Sequence, residues 1–139
     1  MTADTDLAYM AGLIDGEGCV SIDKINHKNG RTYYGLRVTF TNSSIEVIEW
    51  IKDHFAKHTW HTTDHRGKKS IHCMVWRSDQ AAELLRSLQP YLVVKARHAE
   101  WAILFQDSLP DVGKAKTTTD EELAWRAEVR EWMMHLNHS

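Results

Sequence analysis

The chain has 139 residues, of which 42% are hydrophobic and 26% charged, with two prolines and seven glycines. This composition is typical of a single folded domain over 1–139 and excludes a disordered, collagen-like or repetitive chain. The sequence lacks an apolar run near the roughly 20 residues of a membrane-spanning helix. Its first residues are acidic, whereas a secretory signal begins with basic residues. Its cysteines are too few for a disulfide framework. We therefore expect a protein of the cytoplasm or of an organelle that is neither secreted nor membrane-bound.

The charge is distributed unevenly along the chain. The net charge of −2, from 17 Lys and Arg against 19 Asp and Glu, by itself argues against nucleic-acid binding. However, residues 18–41 and 55–77 hold nine basic and two acidic side chains, a charge of +7, so the rest of the chain carries −9. We expect one positive and one negative surface. From charge alone, a merely solvated face explains the positive segments equally well.

The first predicted element is a helix over about 7–14. Its residues are apolar on every side of the helical wheel, which indicates a helix that is buried in a core or an interface. Gly16 and Gly18 are expected to end it.

A β-hairpin is predicted next. Apolar residues occupy the even positions of 20–22 and 36–40, which predicts one buried face, and Asn29-Gly30 is typical of the turn. The alternation fails at 24–25, where we expect a bulge or a frayed end.

Capping boxes and punctuating prolines divide the rest of the chain. The predicted elements are a helix from the capping box at 43–46 to about 57, strands over about 59–66 and 69–77, a helix over 81–88 capped by Ser78, a helix over about 94–109, a loop over 110–118, and a last helix from the capping box at 119–122 to about 136. This order predicts an α+β fold, in which helices cover one face of a four-stranded antiparallel sheet. The core would span about 5–109 and a C-terminal helical extension about 119–137.

Residues 10–18 read MAGLIDGEG and carry the most specific signal in the sequence. They closely resemble the signature of the LAGLIDADG homing endonucleases, with Met10, Gly16 and Glu17 in place of Leu, Ala and Asp. The stretch LQPYLVVK at 88–95 and the order of elements extend the resemblance over about 5–109. The resemblance implies the αββαββα core of that family, whose four-stranded antiparallel sheet binds DNA.

The motif helix also has a physical interpretation. Ala8, Gly12 and Gly16 recur at every fourth position, so one stripe of the helix lets another helix approach closely. Because the sequence contains one copy of the motif, an identical partner helix would make a two-fold homodimer. Packing within one chain explains an isolated stripe of this kind equally well. The expected interface residues are Ala8, Ala11, Gly12, Asp15 and Gly16.

Such a dimer would place two copies of Glu17 side by side at the negative ends of two helices, where a divalent cation would relieve their repulsion. Oxygen ligands favour Mg²⁺, with Ca²⁺ or Mn²⁺ able to occupy the site in vitro, and a metal on a phosphate favours phosphodiester hydrolysis. The resemblance implies that Glu17 and the Gly16 carbonyl bind the metal and that Glu17 and Lys95 are catalytic. No small-molecule cofactor is expected.

The face of the sheet away from the core is expected to bind double-stranded DNA, since a two-stranded ribbon fits a major groove roughly 12 Å wide. Arg37 is a candidate to read guanine and Asp23 to read a cytosine amino group, whereas lysines suit phosphates. The candidate contacts are Ser21, Asp23, Lys24, His27, Lys28, Arg31, Tyr33, Arg37, Thr39, Thr41, Arg66, Lys68, Lys69, His72, Met74 and Arg77. A zinc site at His58, His61, His65, His72 and Cys73 is less favoured, since no Cys-x-x-Cys pair is present.

The resemblance implies a homodimeric homing endonuclease that cuts both strands of a long pseudo-palindromic site and is encoded in an intron or intein. An RNA-splicing maturase, or a catalytically weak DNA-binding protein on the same fold, is the alternative. Short Ser43 and Ser44 stand where well-studied single-motif members carry long polar residues, which favours weaker or differently organised activity.

Overall fold

The computed structural model describes residues 3–64, 66–110 and 118–138, which form five helices and four strands. In chain order these are α1 (Asp4–Glu17), β1 (Gly18–Asn26), β2 (Thr32–Asn42), α2 (Ile45–His54), β3 (Thr59–Thr63), β4 (Ile71–Arg77), α3 (Ser78–Leu88), α4 (Ala96–Asp107) and α5 (Asp120–Asn137). The order of elements agrees with the prediction. Among the described helices, none is both long and apolar enough to cross a bilayer.

The four strands form one antiparallel sheet in the order β1-β2-β4-β3. The two hairpins meet where β2 pairs with β4, and this pairing sets Val38 opposite Trp76. Even-numbered strand residues enter the core, as predicted for the first hairpin: Val20, Ile22, Leu36, Val38 and Phe40 are all buried. Helical residues such as Ile48, Ile51 and Leu85 complete the same cluster. The predicted α+β fold is therefore confirmed.

The tip of the first hairpin differs from the prediction in two respects. Within the described pairing of β1 and β2 there is no bulge at 24–25, since Lys24 pairs with Tyr34 and Ile25 with Tyr33 in continuous register. The turn is longer than Asn29-Gly30 alone: His27 N donates to Arg31 O at 2.9 Å, and Gly30 N donates to His27 O at 3.0 Å. Gly30 has φ of 83°, a left-handed conformation that glycine adopts without steric cost.

The helix starts were predicted with mixed success. Thr119 Oγ1 accepts from Glu122 N at 3.1 Å, which confirms the second capping box. The first box was wrong, because Ser44 is the N-cap of α2 and makes no side-chain cap bond. Ser78 does not cap α3 either: it is the first residue of that helix, with φ of 53°. Most of the predicted loop, at 111–117, lies outside the described residues.

A buried histidine that contacts the C-terminal helix is expected to make the stability of the fold depend on pH. His98 on α4 is 6% exposed, and burial, reinforced by the charge of Lys95, lowers the pKa of its imidazole below the ordinary 6.5. Hydrogen bonds that the imidazole donates to the Leu136 backbone and to the Asn137 side chain, together with the charge of Asp15, act in the opposite direction and raise the pKa. The folded protein therefore binds this proton less readily than the unfolded chain does.

We expect the free energy of unfolding to fall as the pH drops below 6.5 and through the lower folded-state pKa of His98, because protonation then favours the unfolded chain. Above that window His98 is neutral in both states and contributes no pH dependence. Urea unfolding at about pH 7.5 and about pH 5.5 measures the difference. His98→Gln should reduce it, and an equal pH dependence in the variant would contradict the assignment.

Candidate active site and sheet surface

Glu17 is the last residue of α1, and its side chain is exposed. The last carbonyls of a helix, Gly16 among them, have no partner within the helix and carry partial negative charge. Glu17 Oε2 accepts a hydrogen bond from Asn42 Nδ2. Its other carboxylate oxygen makes no hydrogen bond to the part of the chain that the structure describes. An acidic oxygen and a backbone carbonyl thus lie together at this helix end.

Asn42 links this helix end to the start of α2. It is the last residue of β2, and while its Nδ2 donates to Glu17, its Oδ1 accepts from Ser44 N at 2.8 Å. The turn that the capping box at 43–46 was expected to form is therefore closed by Asn42. Sequence reasoning missed this residue, although an asparagine two residues before an N-cap is a typical signal of such a turn.

Asp15 ties a second segment to the same end of α1. Its two carboxylate oxygens accept from Val93 N and Lys95 N, both at 2.9 Å. Lys95 directly precedes α4, so these bonds hold the lysine backbone close to the helix turn that carries Glu17. The proposed catalytic residues Glu17 and Lys95, which are far apart in sequence, are thereby brought to one region. The roles of Asp15 and Gly16 in an interface between two copies stay predictions.

The small residues of α1 form an exposed stripe. Ala8, Gly12 and Gly16 all lie at the surface, and a Cβ added at either glycine would meet no atom within 4 Å. Ala11, which was predicted as an interface residue, is instead 0% exposed and packs into the core with Met10 and Ile14. The open stripe consists of Ala8, Gly12 and Gly16, and it leads directly to Glu17.

The ligand chemistry of this site fits a hard divalent cation. A carboxylate and a carbonyl oxygen are ligands that Mg²⁺ and Ca²⁺ prefer. Among the described residues, however, no group of three or more His, Cys, Asp or Glu side chains could hold a metal. Both carboxylate oxygens of Asp15 accept from backbone amides, so Glu17 is the one carboxylate at this helix end with an unbonded oxygen in the described part of the chain. Further oxygen ligands must therefore come from elsewhere.

The histidines of the second hairpin make local contacts. His58 packs edge-on against Trp76, and His72 lies beside Trp60 while its Nδ1 is 2.9 Å from Thr62 Oγ1. His65 lies outside the described residues.

The sheet surface away from the helices, which we call the open face, consists of the odd-numbered strand residues. Seven predicted DNA contacts lie on it: Ser21, Asp23, Tyr33, Arg37, Thr39, Thr41 and Arg77. Six more are exposed in or beside the hairpin turns: His27, Lys28, Arg31, Arg66, Lys68 and Lys69. Thirteen of the sixteen predicted contacts thus lie on the open face or at the hairpin turns. Lys24 is exposed, but it is even-numbered and lies on the other side of β1.

Two predicted DNA contacts were placed on the wrong face. Met74 is 0% exposed, and His72 is half-buried and lies on the same side of β4 as Met74. Both are even-numbered and therefore face the helices, as Trp76 does. The open face of this hairpin instead carries residues that sequence reasoning missed, including His61 and Cys73, which pair across β3 and β4. Apolar residues on both faces of β4 concealed its orientation.

Comparisons with known proteins agree with this geometry. The chain matches a family model described as LAGLIDADG endonuclease over residues 10–104. No curated protein matches the sequence.

Several solved structures share the fold. The homing endonuclease I-CvuI, in complex with its target in the presence of 2 mM Ca, is 18% identical, with a TM-score of 0.75 over 95% of this chain and 82% of that chain. The archaeal intron-encoded homing endonuclease I-Vdi141I, complexed with DNA, is 16% identical, with a TM-score of 0.76 over 96% and 84%. The homing endonuclease I-TnaI is 13% identical, with a TM-score of 0.65 over 99% and 98%. The family match spans more than half of the chain and includes the motif at 10–18 and Lys95, and the chain therefore belongs to the LAGLIDADG endonuclease family.

Proposed function

We propose that this chain is a site-specific DNA endonuclease that acts as a homodimer, uses Mg²⁺ and cuts both strands of a long pseudo-palindromic site. One observation carries the proposal. The exposed stripe of small residues on α1 ends at the exposed carboxylate of Glu17, and the two basic hairpins lie in one sheet.

The stripe supports the dimer. Ala8, Gly12 and Gly16 leave room for a second helix to approach backbone to backbone, and no residue that the structure describes covers the two glycines. A two-fold axis through this contact would bring two Glu17 side chains together, so that each strand of a pseudo-palindromic duplex meets an equivalent site. The dimer would also provide the further oxygen ligands that a metal ion needs, since the second copy supplies the second Glu17 carboxylate.

The Glu17 carboxylate and the Gly16 carbonyl would hold the divalent cation. When bound, such an ion polarises the phosphate and lowers the pKa of a bound water, which is the chemistry that phosphodiester hydrolysis needs. Two adjacent carboxylates repel each other, which favours cation binding between them. The I-CvuI structures, solved in the presence of Ca or Mg, support a divalent cation in this fold.

The surrounding residues position the reacting groups. Asn42 fixes one oxygen of Glu17, which limits the rotation of that carboxylate. Asp15 holds the Lys95 backbone, so that the Lys95 ammonium would stabilise negative charge developing on the phosphate. The lysines and arginines at the hairpin ends would contact DNA phosphates, which set affinity and salt dependence.

The proposal is tested with duplex DNA from the host gene. In this duplex the two sequences that flank the element encoding the chain are joined directly, and the element itself is absent. The protein should cut both strands in Mg²⁺ and bind without cutting in Ca²⁺. A chelator added to the Mg²⁺ reaction should stop cleavage. Failure to cut this duplex in Mg²⁺ would contradict the proposal.

A second candidate is a protein that binds nucleic acid without cutting it, such as a maturase or a DNA-binding regulator. Short Ser43 and Ser44 at the start of α2 favour it, because neither can reach far toward a water near Glu17. Specific DNA binding in Ca²⁺ without cleavage in Mg²⁺ would support this candidate instead.

Asn42→Ala should slow cleavage by about 10-fold or more at limiting Mg²⁺. The variant removes the donor that holds Glu17, and losing such a supporting partner weakens metal affinity or activity. Cleavage rates measured against Mg²⁺ concentration should show a higher metal requirement. Ser43→Ala, at an exposed neighbour, is the matched control. Identical metal dependence in the Asn42 variant and the wild type would show that this hydrogen bond is dispensable.

A further inference from the structure

The open face of the sheet holds a three-residue ionic cluster formed by Asp23, Arg37 and Arg77. Asp23 Oδ1 lies 3.2 Å from Arg37 Nη2, and Asp23 Oδ2 lies 3.9 Å from Arg77 Nη1. The side chains are 31%, 38% and 60% exposed, respectively. One carboxylate thus binds a guanidinium on each of two strands and divides its two oxygens between them.

The strand register explains why a carboxylate is needed here. Arg37 of β2 lies directly opposite Arg77 of β4, and like charges at directly opposed positions destabilise a sheet. Ser21 of β1 is the pairing partner of Arg37, and Asp23 lies two residues further along the same strand. Its side chain therefore reaches both arginines diagonally across the sheet. Among the described strand residues of the open face, Asp23 is the only carboxylate. Without it, two cations would repel each other and explore other rotamers.

Both arginines keep donors that the cluster does not use. A guanidinium has five N–H donors, and Asp23 engages one nitrogen of each arginine. Arg37 Nε and the Ser21 Oγ beside it are buried without a hydrogen-bond partner in the described part of the chain. The cluster therefore holds two guanidiniums beside one carboxylate. Within the described part of the chain their other Nη donors stay unpaired at the surface that faces DNA in the proposed function, whereas the buried Arg37 Nε does not reach that surface.

We infer that Asp23 is a specificity-determining residue that positions Arg37 and Arg77 to read guanine edges in the major groove, and that it does not contact bases itself. The inference rests on the proposed function. An arginine held in a fixed orientation loses less conformational entropy when it forms the two parallel hydrogen bonds to guanine O6 and N7. The carboxylate also cancels positive charge and so weakens binding to DNA of any sequence. The positioning of the arginines raises the ratio of specific to non-specific affinity, and the added negative charge lowers the affinity for both kinds of DNA.

The test compares Asp23→Asn with the wild type in Ca²⁺, so that binding is measured without cleavage. The probes are the joined host-gene duplex and a scrambled duplex of equal length and composition. We expect the ratio of the two affinities to fall by about 10-fold or more, with tighter binding to the scrambled duplex and a steeper salt dependence. Single base-pair substitutions along the host-gene duplex should show relaxed preference at the G·C pairs that depend on Arg37 or Arg77.

Asp53→Asn is the matched control, because it removes one carboxylate from the exposed surface of α2 and should leave the affinity ratio unchanged. Asp23→Glu keeps the negative charge, so its ratio of specific to non-specific affinity should lie between those of Asp23→Asn and the wild type. The inference is overturned if Asp23→Asn preserves the ratio, or if its loss of preference is confined to one cytosine position that is independent of both arginines. A wild-type protein that prefers neither duplex would overturn the proposed function as well.

Discussion

Glu17→Gln is expected to reduce the cleavage rate in Mg²⁺ by about 10³-fold or more, equivalent to roughly 4 kcal/mol of transition-state stabilisation. The substitution removes the carboxylate at the end of α1 that has an unbonded oxygen in the described part of the chain, while keeping the size of the side chain. A glutamine oxygen can still accept from Asn42 Nδ2, so the link between α1 and β2 should persist. DNA binding in Ca²⁺ should be equal or tighter, since a negative charge near the phosphates is lost. Single-turnover cleavage and equilibrium binding on the same duplex measure both effects.

Glu128→Gln is the control for charge alone. Glu128 is exposed on α5, and its loss changes the net charge of the protein by the same amount. The control should cut at the wild-type rate. Substantial cleavage by Glu17→Gln would remove Glu17 from the mechanism and with it the role of the α1 end as the active site.

The sequence was informative where a local pattern determines structure. Alternation in β1 and β2 predicted which of their residues enter the core, since the even positions of 20–22 and 36–40 are all apolar. The small-residue stripe on α1 was predicted from its four-residue spacing alone. Ala11 was expected at the interface but is buried in the core, and its spacing from Ala8 and Gly12 could not decide this in a helix that is apolar all round. Only packing against Met10 and Ile14 decides its orientation.

The rest depended on contacts between distant segments. The orientation of β4 could not be predicted, because Met74, Val75 and Trp76 are all apolar and all buried, so no alternation separates the two faces. Likewise, the bond between Glu17 and Asn42 joins residues 25 positions apart through the end of β2. The Asp23 cluster required both the β1–β2 and the β2–β4 registers. Each of these features became visible only when strands were paired.

Gly12→Leu is expected to convert a dimer into a monomer without unfolding the chain. A Cβ at Gly12 meets no atom within 4 Å, and leucine is favoured over glycine in a helix by roughly 0.8 kcal/mol, so the isolated chain should be equally or more stable. In the proposed dimer, a leucine side chain on the stripe would hold the two α1 helices apart and separate the two Glu17 carboxylates. Light scattering at micromolar concentration should show the monomer mass, and double-strand cleavage should be lost.

Gly18→Ala, at the start of β1, is expected to have the opposite effect: it should destabilise the single chain. Its added Cβ would lie 2.9 Å from both Cα and O of Ile14, so this variant should lose roughly 1–3 kcal/mol of folding stability through overpacking. The two glycines therefore separate two functions of one motif: Gly18 allows α1 to turn into β1, and Gly12 allows α1 to meet a second copy. A Gly12→Leu protein that is still dimeric and still cuts both strands would show that the copies do not meet along this stripe. In that case the second carboxylate would have to come from another surface, because Asp15, the other carboxylate at the end of α1, is already bonded to Val93 N and Lys95 N.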